Sequence, residues 1–181
     1  KNLRNFGSKS LIERAVFTAK NCYLVNNIYV SSESDEILEL AKKAGADYIH
    51  KRKSSLSKDN VRQVDVVKDM IKFINNDCTY ITEYAVLMQT TTPFLHFKDL
   101  NTCIEMNNKM QSTQVISGSR LNINPCELYI DNKQSEIVPL YSSELQSSQR
   151  QLQPILYRIN GGIRVFNVQY LISSNQFFNS Q

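Results

Sequence analysis

A short apolar stretch that ends in polar residues constrains the fold of this chain more than any other feature. From Ala85 to Phe94 the sequence reads Ala-Val-Leu-Met-Gln-Thr-Thr-Thr-Pro-Phe. Consecutive apolar residues followed by turn chemistry are typical of a strand covered on both faces in a parallel α/β sheet, whose ligand crevice lies at the carboxyl ends of its strands. The stretch therefore predicts Gln89 at the lip of a crevice, with Pro93 ending the strand. A core strand followed by a hydroxyl-rich turn is the structural alternative.

Helical and strand patterns alternate around this strand. Apolar residues recur every three to four positions after Ser10, after Ser34 and after Asp59, and short β-branched or aromatic runs lie between these segments. The predicted caps are Ser8 or Ser10 for the first helix, Ser34 and Gly45 for the second, and Asp59 or Asn60 for the third. This alternation predicts right-handed crossovers and a doubly wound sheet.

The alternation stops after Gly118. Residues 121–159 hold only short apolar runs and a tract rich in Ser and Gln, which is too little apolar material for a separate core. We therefore predict one domain over residues 1–181 with a hairpin-like arm at about 121–159. Asn160-Gly161-Gly162 predicts a turn, and Ile163 to Phe166 predicts a strand after it.

Composition excludes several classes of protein. The chain has 181 residues, 41% hydrophobic content and a net charge of +4, and its basic residues are scattered among acidic ones, so a general nucleic-acid binder is not favoured. No apolar run approaches the length of a membrane span, and the expectation is a soluble intracellular protein. Four widely spaced cysteines and two histidines favour reduced thiols over a zinc site or a disulfide framework.

A cationic loop from His50 to Lys58 follows a predicted strand and precedes a predicted helix. Most such charge runs are simply solvated. Loops at this position of an α/β fold are, however, where ligand contacts are usually found.

Taken in order, several motifs resemble one family. They are K-N-L-R at the start, G-x-x-x-L-I-E-R-A, I-Y-V-S-S-E, H-K-R-K-S-S-L-S-K-D, V-L-M-Q-T-T-T-P, R-Q-x-x-P, and N-G-G-I-R-V-F. Their order across nearly the whole chain is similar to that of the acylneuraminate cytidylyltransferases, the enzymes that make CMP-sialic acid. Each motif alone is weak, and their common order carries the resemblance.

The resemblance implies a Rossmann-like three-layer α/β sandwich with a mostly parallel sheet and a projecting dimerisation arm. It implies transfer of CMP from CTP to the anomeric hydroxyl of a nine-carbon 2-keto sugar acid, with release of pyrophosphate and a requirement for Mg²⁺. A homodimer formed through the arm is implied, with no nucleic-acid or membrane partner. The expected location is the cytoplasm of a bacterium or the nucleus of an animal cell.

Residue by residue, the resemblance implies a set of site residues. Lys1 and Arg150 would be catalytic, with Lys1 neutralising the triphosphate and Arg150 reaching the sugar acid or the developing charge. The nucleotide contacts would be Lys1, Asn2, Arg52, Gln63 and Gln89. The sugar contacts would be Gln89, Arg150, Arg158, Asn160, Phe177 and Phe178.

The sequence departs from the family pattern at several positions. The family's first strand and Gly-rich loop are expected before Lys1, and its magnesium-binding aspartates beyond Gln181, so no metal ligand is assigned within the chain. Thr90 stands in place of a proline and Leu95 in place of an arginine, while Arg62 and Gln63 replace serines. These departures motivate one alternative, a catalytically inactive nucleotide-binding, sugar-binding or structural domain of the same fold.

Overall fold

The computed structural model describes residues 2–77, 82–133, 136–141 and 154–177. The helices and strands occur in this order along the chain: β1 (Asn5–Phe6), β2 (Lys9–Ser10), α1 (Leu11–Lys20), β3 (Tyr29–Ser32), α2 (Asp35–Ala44), β4 (Tyr48–Lys51), α3 (Gln63–Asp77), β5 (Tyr84–Met88), α4 (Phe97–Met110), β6 (Gln114–Arg120), β7 (Tyr129–Asp131), β8 (Ile137–Pro139), β9 (Tyr157–Asn167) and α5 (Val168–Ser174). Short 3₁₀ turns cover Ser54–Leu56 and Pro125–Glu127. In these described residues no helix is long and apolar enough to cross a membrane.

Local capping explains where the first two long helices begin. Ser10 accepts a hydrogen bond from the backbone N–H of Glu13, and the Glu13 carboxylate accepts from the Ser10 backbone in return. Ser34 caps α2, and Gly45 ends it with φ of 105°. Both caps confirm the sequence prediction, because capping depends on residues a few positions apart. The predicted cap of α3 at Asp59 or Asn60 is wrong, since the helix begins at Gln63.

The chain divides into two compact units. One comprises Lys1–Ser117 with Gly161–Gln181, and the other comprises Gly118–Asn160. In the second unit, β7 and β8 form an antiparallel pair with Ile130 opposite Val138; the arm over residues 121–159 stays a prediction.

The strand pairing of the first unit is mixed. β3 and β4 are parallel, with Ser31 opposite His50. β5 instead pairs antiparallel with β9, with Val86 opposite Val165, in a sheet of order β5-β9-β6. The α/β class is confirmed. Among the described pairings only β3 and β4 are parallel, so one continuous, mostly parallel sheet is not seen there.

The predicted turn at Asn160-Gly161-Gly162 is wrong, because these residues lie inside the long strand β9. Gly161 has φ of 71°, a conformation that residues with a side chain avoid. The glycines therefore permit a local backbone irregularity within a strand instead of reversing the chain.

The core consists of three apolar clusters. One joins α3, β9 and α5 through residues such as Ile71, Phe166 and Leu171. A second joins α1 and α2 through Val16 and Ala41, and a third surrounds Leu100. The apolar residues that recur at helical spacing in α3, namely Val64, Val67, Ile71 and Ile74, are all buried. β5 is half-buried along its length, because one side of it faces an open cleft.

Candidate active site

A cleft of about 930 Å³ opens in the first unit. Every residue of β3 and of β5 lines it, and side chains of α1, α3 and α4 contribute further wall. In the described part of the chain, β3 pairs with β4, and β5 pairs with β9. The cleft lies between the other edges of β3 and β5. Apolar residues form most of the body, and polar residues gather where β3 and β5 end: Asn2, Ser31, Ser32, Glu33, Arg52, Gln63, Gln89, Thr90 and Thr91.

Gln89 lies at the polar end of the cleft, directly after β5. Its backbone N–H donates to the carbonyl of Gly162 at 3.4 Å, and its carbonyl accepts from the Thr92 hydroxyl at 2.7 Å. A Cβ atom added to Gly161 would lie 3.2 Å from Gln89 Oε1. The absence of a side chain at Gly161 thus leaves the space that the Gln89 side chain occupies. The predicted position of Gln89 at the lip of a crevice is confirmed.

Asn2 belongs to the same wall. The Thr90 hydroxyl donates to Asn2 Oδ1 at 2.8 Å, and the Asn2 carbonyl accepts from the backbone N–H of Ile12. Thr90, which stands where the family pattern has a proline, therefore has a definite role: it ties the start of the chain to the loop after β5.

Arg52 faces the cleft from the opposite wall, just beyond β4. Its Nη2 donates to Glu33 Oε2 at 2.7 Å, its Nε donates to the Ser57 hydroxyl at 3.1 Å, and only 20% of its side chain is exposed. A hydrogen bond from its own backbone N–H lowers the pKa of Glu33, and the Arg52 guanidinium lowers it further. Glu33 is thus held as a carboxylate that orients Arg52, while the remaining guanidinium N–H groups stay available to an anion.

Gln63 and Arg62 behave differently although they are adjacent. Gln63 opens α3 and lines the cleft. Arg62 instead forms a two-point ion pair with Asp65, at 2.9 and 2.7 Å, and Asp65 raises the pKa of Arg62 through that hydrogen bond. Of the two residues that replace serines of the family pattern, Gln63 is the one that contributes to the cleft wall.

The other predicted site residues lie elsewhere or are not described. Arg158 and Asn160 are exposed on β9 within the second unit. Phe177 is 8% exposed and packs edge-on against Phe166 in the core, so its role at a sugar stays a prediction. Lys1, Arg150 and Phe178 lie outside the described residues.

Sequence reasoning missed two arrangements in the first unit. Arg164 is half-buried on β9 with its guanidinium 4.3 Å from the centre of the Phe177 ring, and burial lowers its pKa. His50 lies between the Ser31 hydroxyl, 3.2 Å from Nδ1, and the Asp69 carboxylate, 3.6 Å from Nε2. The alternating apolar and polar residues around Arg164 predicted only a strand. No sequence spacing links residues 31, 50 and 69.

In the part of the chain that the structure describes, no group of three or more His, Cys, Asp or Glu side chains is placed so that it could hold a metal ion.

Comparison with known proteins shows which proteins this chain resembles. Residues 1–163 match a family model described as Cytidylyltransferase. The chain is 24% identical over 178 residues to a CMP-N,N'-diacetyllegionaminic acid synthase of Campylobacter jejuni, covering 98% of this chain and 75% of that protein. It is 26% identical over 181 residues to the enzyme of the same name from Legionella pneumophila, with the same coverage. A solved CMP:2-keto-3-deoxy-manno-octonic acid synthetase complexed with CTP has the same fold, with a TM-score of 0.65 at 12% identity over 100% of this chain and 73% of that one.

Proposed function

Because this chain belongs to the cytidylyltransferase family, and is thus a nucleotidyltransferase, we propose that it transfers CMP from CTP to a sialic acid-type nine-carbon sugar acid. In the reaction the anomeric hydroxyl of the sugar attacks the α-phosphorus of CTP, the bond to the β-phosphate oxygen breaks, and pyrophosphate leaves. The hydroxyl proton is released. The names of the relatives favour a legionaminic or related sugar acid as the acceptor.

The observation that carries this proposal is the polar end of the cleft. Asn2, Arg52, Gln63, Gln89 and Thr90 all line it. Amide groups both donate and accept hydrogen bonds, as base and sugar recognition requires, while an arginine offers charge and several donors to phosphate oxygens. The chemistry of phosphoryl transfer depends mainly on positioning and on charge stabilisation, which such a set supplies.

Within this function we propose distinct roles for the residues. Asn2, Arg52 and Gln63 hold the nucleotide together with Lys1, which also neutralises the triphosphate. Gln89 contacts both substrates, because it follows β5 directly at the polar end of the cleft. Arg150 acts on the sugar acid or on the developing charge, and the remaining sugar contacts are Arg158, Asn160, Phe177 and Phe178. We further propose that Mg²⁺ is required, as the family resemblance implies.

We also propose that the second unit is a dimerisation arm. Within Gly118–Asn160 many large apolar side chains are exposed to solvent, and extensive exposed apolar surface is typical of a protein–protein interface. These side chains are Ile123, Tyr129, Ile130, Ile137, Leu140, Ile155, Tyr157 and Ile159. Their exposure supports an interface with a second copy of the chain, in which they would become buried.

The test of the proposed function is pyrophosphate release by the full-length protein with CTP, Mg²⁺ and a panel of nine-carbon 2-keto sugar acids. We expect release with at least one member of the panel, and lower release when UTP replaces CTP. Arg52→Ala is expected to raise the KM for CTP because it removes a phosphate or base contact. Folded protein that binds CTP but releases no pyrophosphate with any sugar acid would contradict the proposed reaction.

A further inference from the structure

Arg164 has no part in the function proposed above, although it lies next to residues that have one. The strand register places it on β9 opposite Leu87 of β5. Residues two apart on a strand point to the same face of the sheet, so Gln89 continues the row to which Leu87 belongs. Gln89 is tied to the same partner strand, because its N–H donates to the Gly162 carbonyl. Arg164 and Gln89 are therefore diagonal neighbours across two paired strands.

The side chains of such neighbours can contact the same small molecule. Diagonal cross-strand residues are separated by about 7–8 Å, a spacing that long side chains span. The Gln89 side chain extends over β9, since a Cβ atom added to Gly161 would lie 3.2 Å from Gln89 Oε1. Gly162, the β9 residue between Gln89 and Arg164 on this face, carries no side chain. No side chain of β9 therefore separates the Gln89 amide from the Arg164 guanidinium.

An aromatic ring of the core supports the Arg164 guanidinium. The guanidinium carbon lies 4.3 Å from the centre of the Phe177 ring. Phe177 in turn packs edge-on against Phe166, with 5.6 Å between ring centres, and both belong to the cluster that joins α3, β9 and α5. Because the supporting ring is only 8% exposed, it is held by its neighbours on several sides. The position of the guanidinium is thus fixed by the core rather than by the surface.

The charge of Arg164 is partly withdrawn from water, because the residue is half-buried. Arginine stays protonated in proteins, and a partly desolvated charge is costly unless a partner compensates it. The face of the Phe177 ring supplies part of that compensation. A hydrogen-bonded anion compensates more, and the guanidinium has several N–H donors in a planar fork that matches a carboxylate. This position on β9 therefore favours a planar anion next to Gln89.

From this arrangement we propose that Arg164 binds the carboxylate of the acceptor sugar acid and thereby holds its anomeric hydroxyl beside Gln89. In a 2-keto sugar acid the carboxylate and the anomeric hydroxyl are attached to the same carbon atom. A two-point contact with the carboxylate therefore also fixes the direction of the attacking hydroxyl. The inference rests on the proposed function, because it requires that the sugar lies at Gln89. It makes Arg164 a residue that selects acids over neutral sugars.

The experiment is calorimetric titration of a sugar acid, and of its neutral C1 amide, into the full-length protein. The protein is first saturated with Mg²⁺ and a CTP analogue whose α,β-bridging oxygen is replaced by methylene, so that no transfer occurs. The acids are N,N'-diacetyllegionaminic acid and N-acetylneuraminic acid. We expect Arg164→Met to weaken binding of the acid about 10- to 100-fold, the range for a hydrogen bond to a charged group. Binding of the amide should stay as in wild type.

The choice of variants separates recognition of the acid from packing. Methionine is used because its flexible side chain can keep contact with the Phe177 ring without a charge. Lys9→Met is the matched control, since Lys9 also lies over a phenylalanine ring, 3.8 Å from the centre of Phe17, and its loss removes one charge and one such contact elsewhere. It should bind the acid and the amide as wild type does. In pyrophosphate-release kinetics, Arg164→Met should leave the KM for CTP unchanged.

The outcomes distinguish this inference from the proposed function. Equal weakening of acid and amide by Arg164→Met, or no weakening of either, overturns the role of Arg164 at the carboxylate and leaves the cytidylyltransferase proposal intact. Should Arg164→Met not fold, Arg164→Gln, which also lacks the charge, gives the same comparison. Folded wild-type protein that neither binds these acids nor releases pyrophosphate with any acid of the panel overturns the proposed function and this inference together.

Discussion

Replacing Gly161 by alanine should impair the site more than it impairs the fold. Gly161 has φ of 71°, and a side chain in this left-handed region costs about 1–2 kcal/mol. The added Cβ would also lie 3.2 Å from Oε1 and 3.4 Å from Cδ of Gln89. That is closer than ordinary contact distance, so the Gln89 amide must shift by a few tenths of an ångström.

Gly7→Ala is the matched control, because Gly7 has nearly the same φ, 70°, and its added Cβ would meet only the guanidinium end of the Arg14 side chain, at 3.2 Å. Urea unfolding should show a loss of about 1–2 kcal/mol for both variants, or about 2–8 °C in Tm. Pyrophosphate-release kinetics should show a fall in kcat/KM of about tenfold for Gly161→Ala alone, since small displacements of positioning groups are costly. Equal kinetics in the two variants would refute the view that the space left by Gly161 positions Gln89.

Three further predictions concern the core, the cleft wall and the arm. Leu100→Ala, at a residue with 0% exposure, should cost about 2–5 kcal/mol in urea unfolding, whereas Ile172→Ala, at 42% exposure, should cost much less. Because the pKa of Glu33 is lowered in the folded protein, the stability that its carboxylate contributes is present above the ordinary glutamate pKa and is lost as pH falls through the lowered value. The difference in unfolding free energy between wild type and Arg52→Ala should therefore shrink in acid. A difference that grows in acid would contradict the pairing of Glu33 with Arg52. Ile137→Lys, at an arm residue 73% exposed, should convert a dimer to monomers in sedimentation velocity. An unchanged dimer would show that the face of the arm that carries Ile137 is not the dimer interface.

The sequence was sufficient where structure depends on near neighbours. The capping box of Ser10 and Glu13 and the glycine end of α2 are set within a few residues, so their positions could be predicted. The burial of the apolar stripe of α3 followed from helical period alone. Gln89 could be predicted at the lip of a crevice because a buried strand must end in a loop.

The sequence was insufficient where distant segments decide the outcome. Asn160-Gly161-Gly162 has the composition of a turn. However, the Gly162 carbonyl accepts a hydrogen bond from the Gln89 N–H, and the backbone N–H of the neighbouring Ile163 donates to Ser117. Partners on both sides therefore keep these residues in the strand. The pairing of β5 with β9 joins residues about 80 positions apart, from Val86 to Val165. Local propensity carries no information about such a partner, and the contact of Ser31 with His50 was hidden for the same reason.

The pairing of β5 with β9 has a consequence for solvent exchange of the backbone. Alternate amides of β5 donate to β9, and these amides should keep their hydrogen for long times, because they exchange only when the strand pair opens. Deuterium labelling of these amides thus reports the local stability of the strand that carries Gln89.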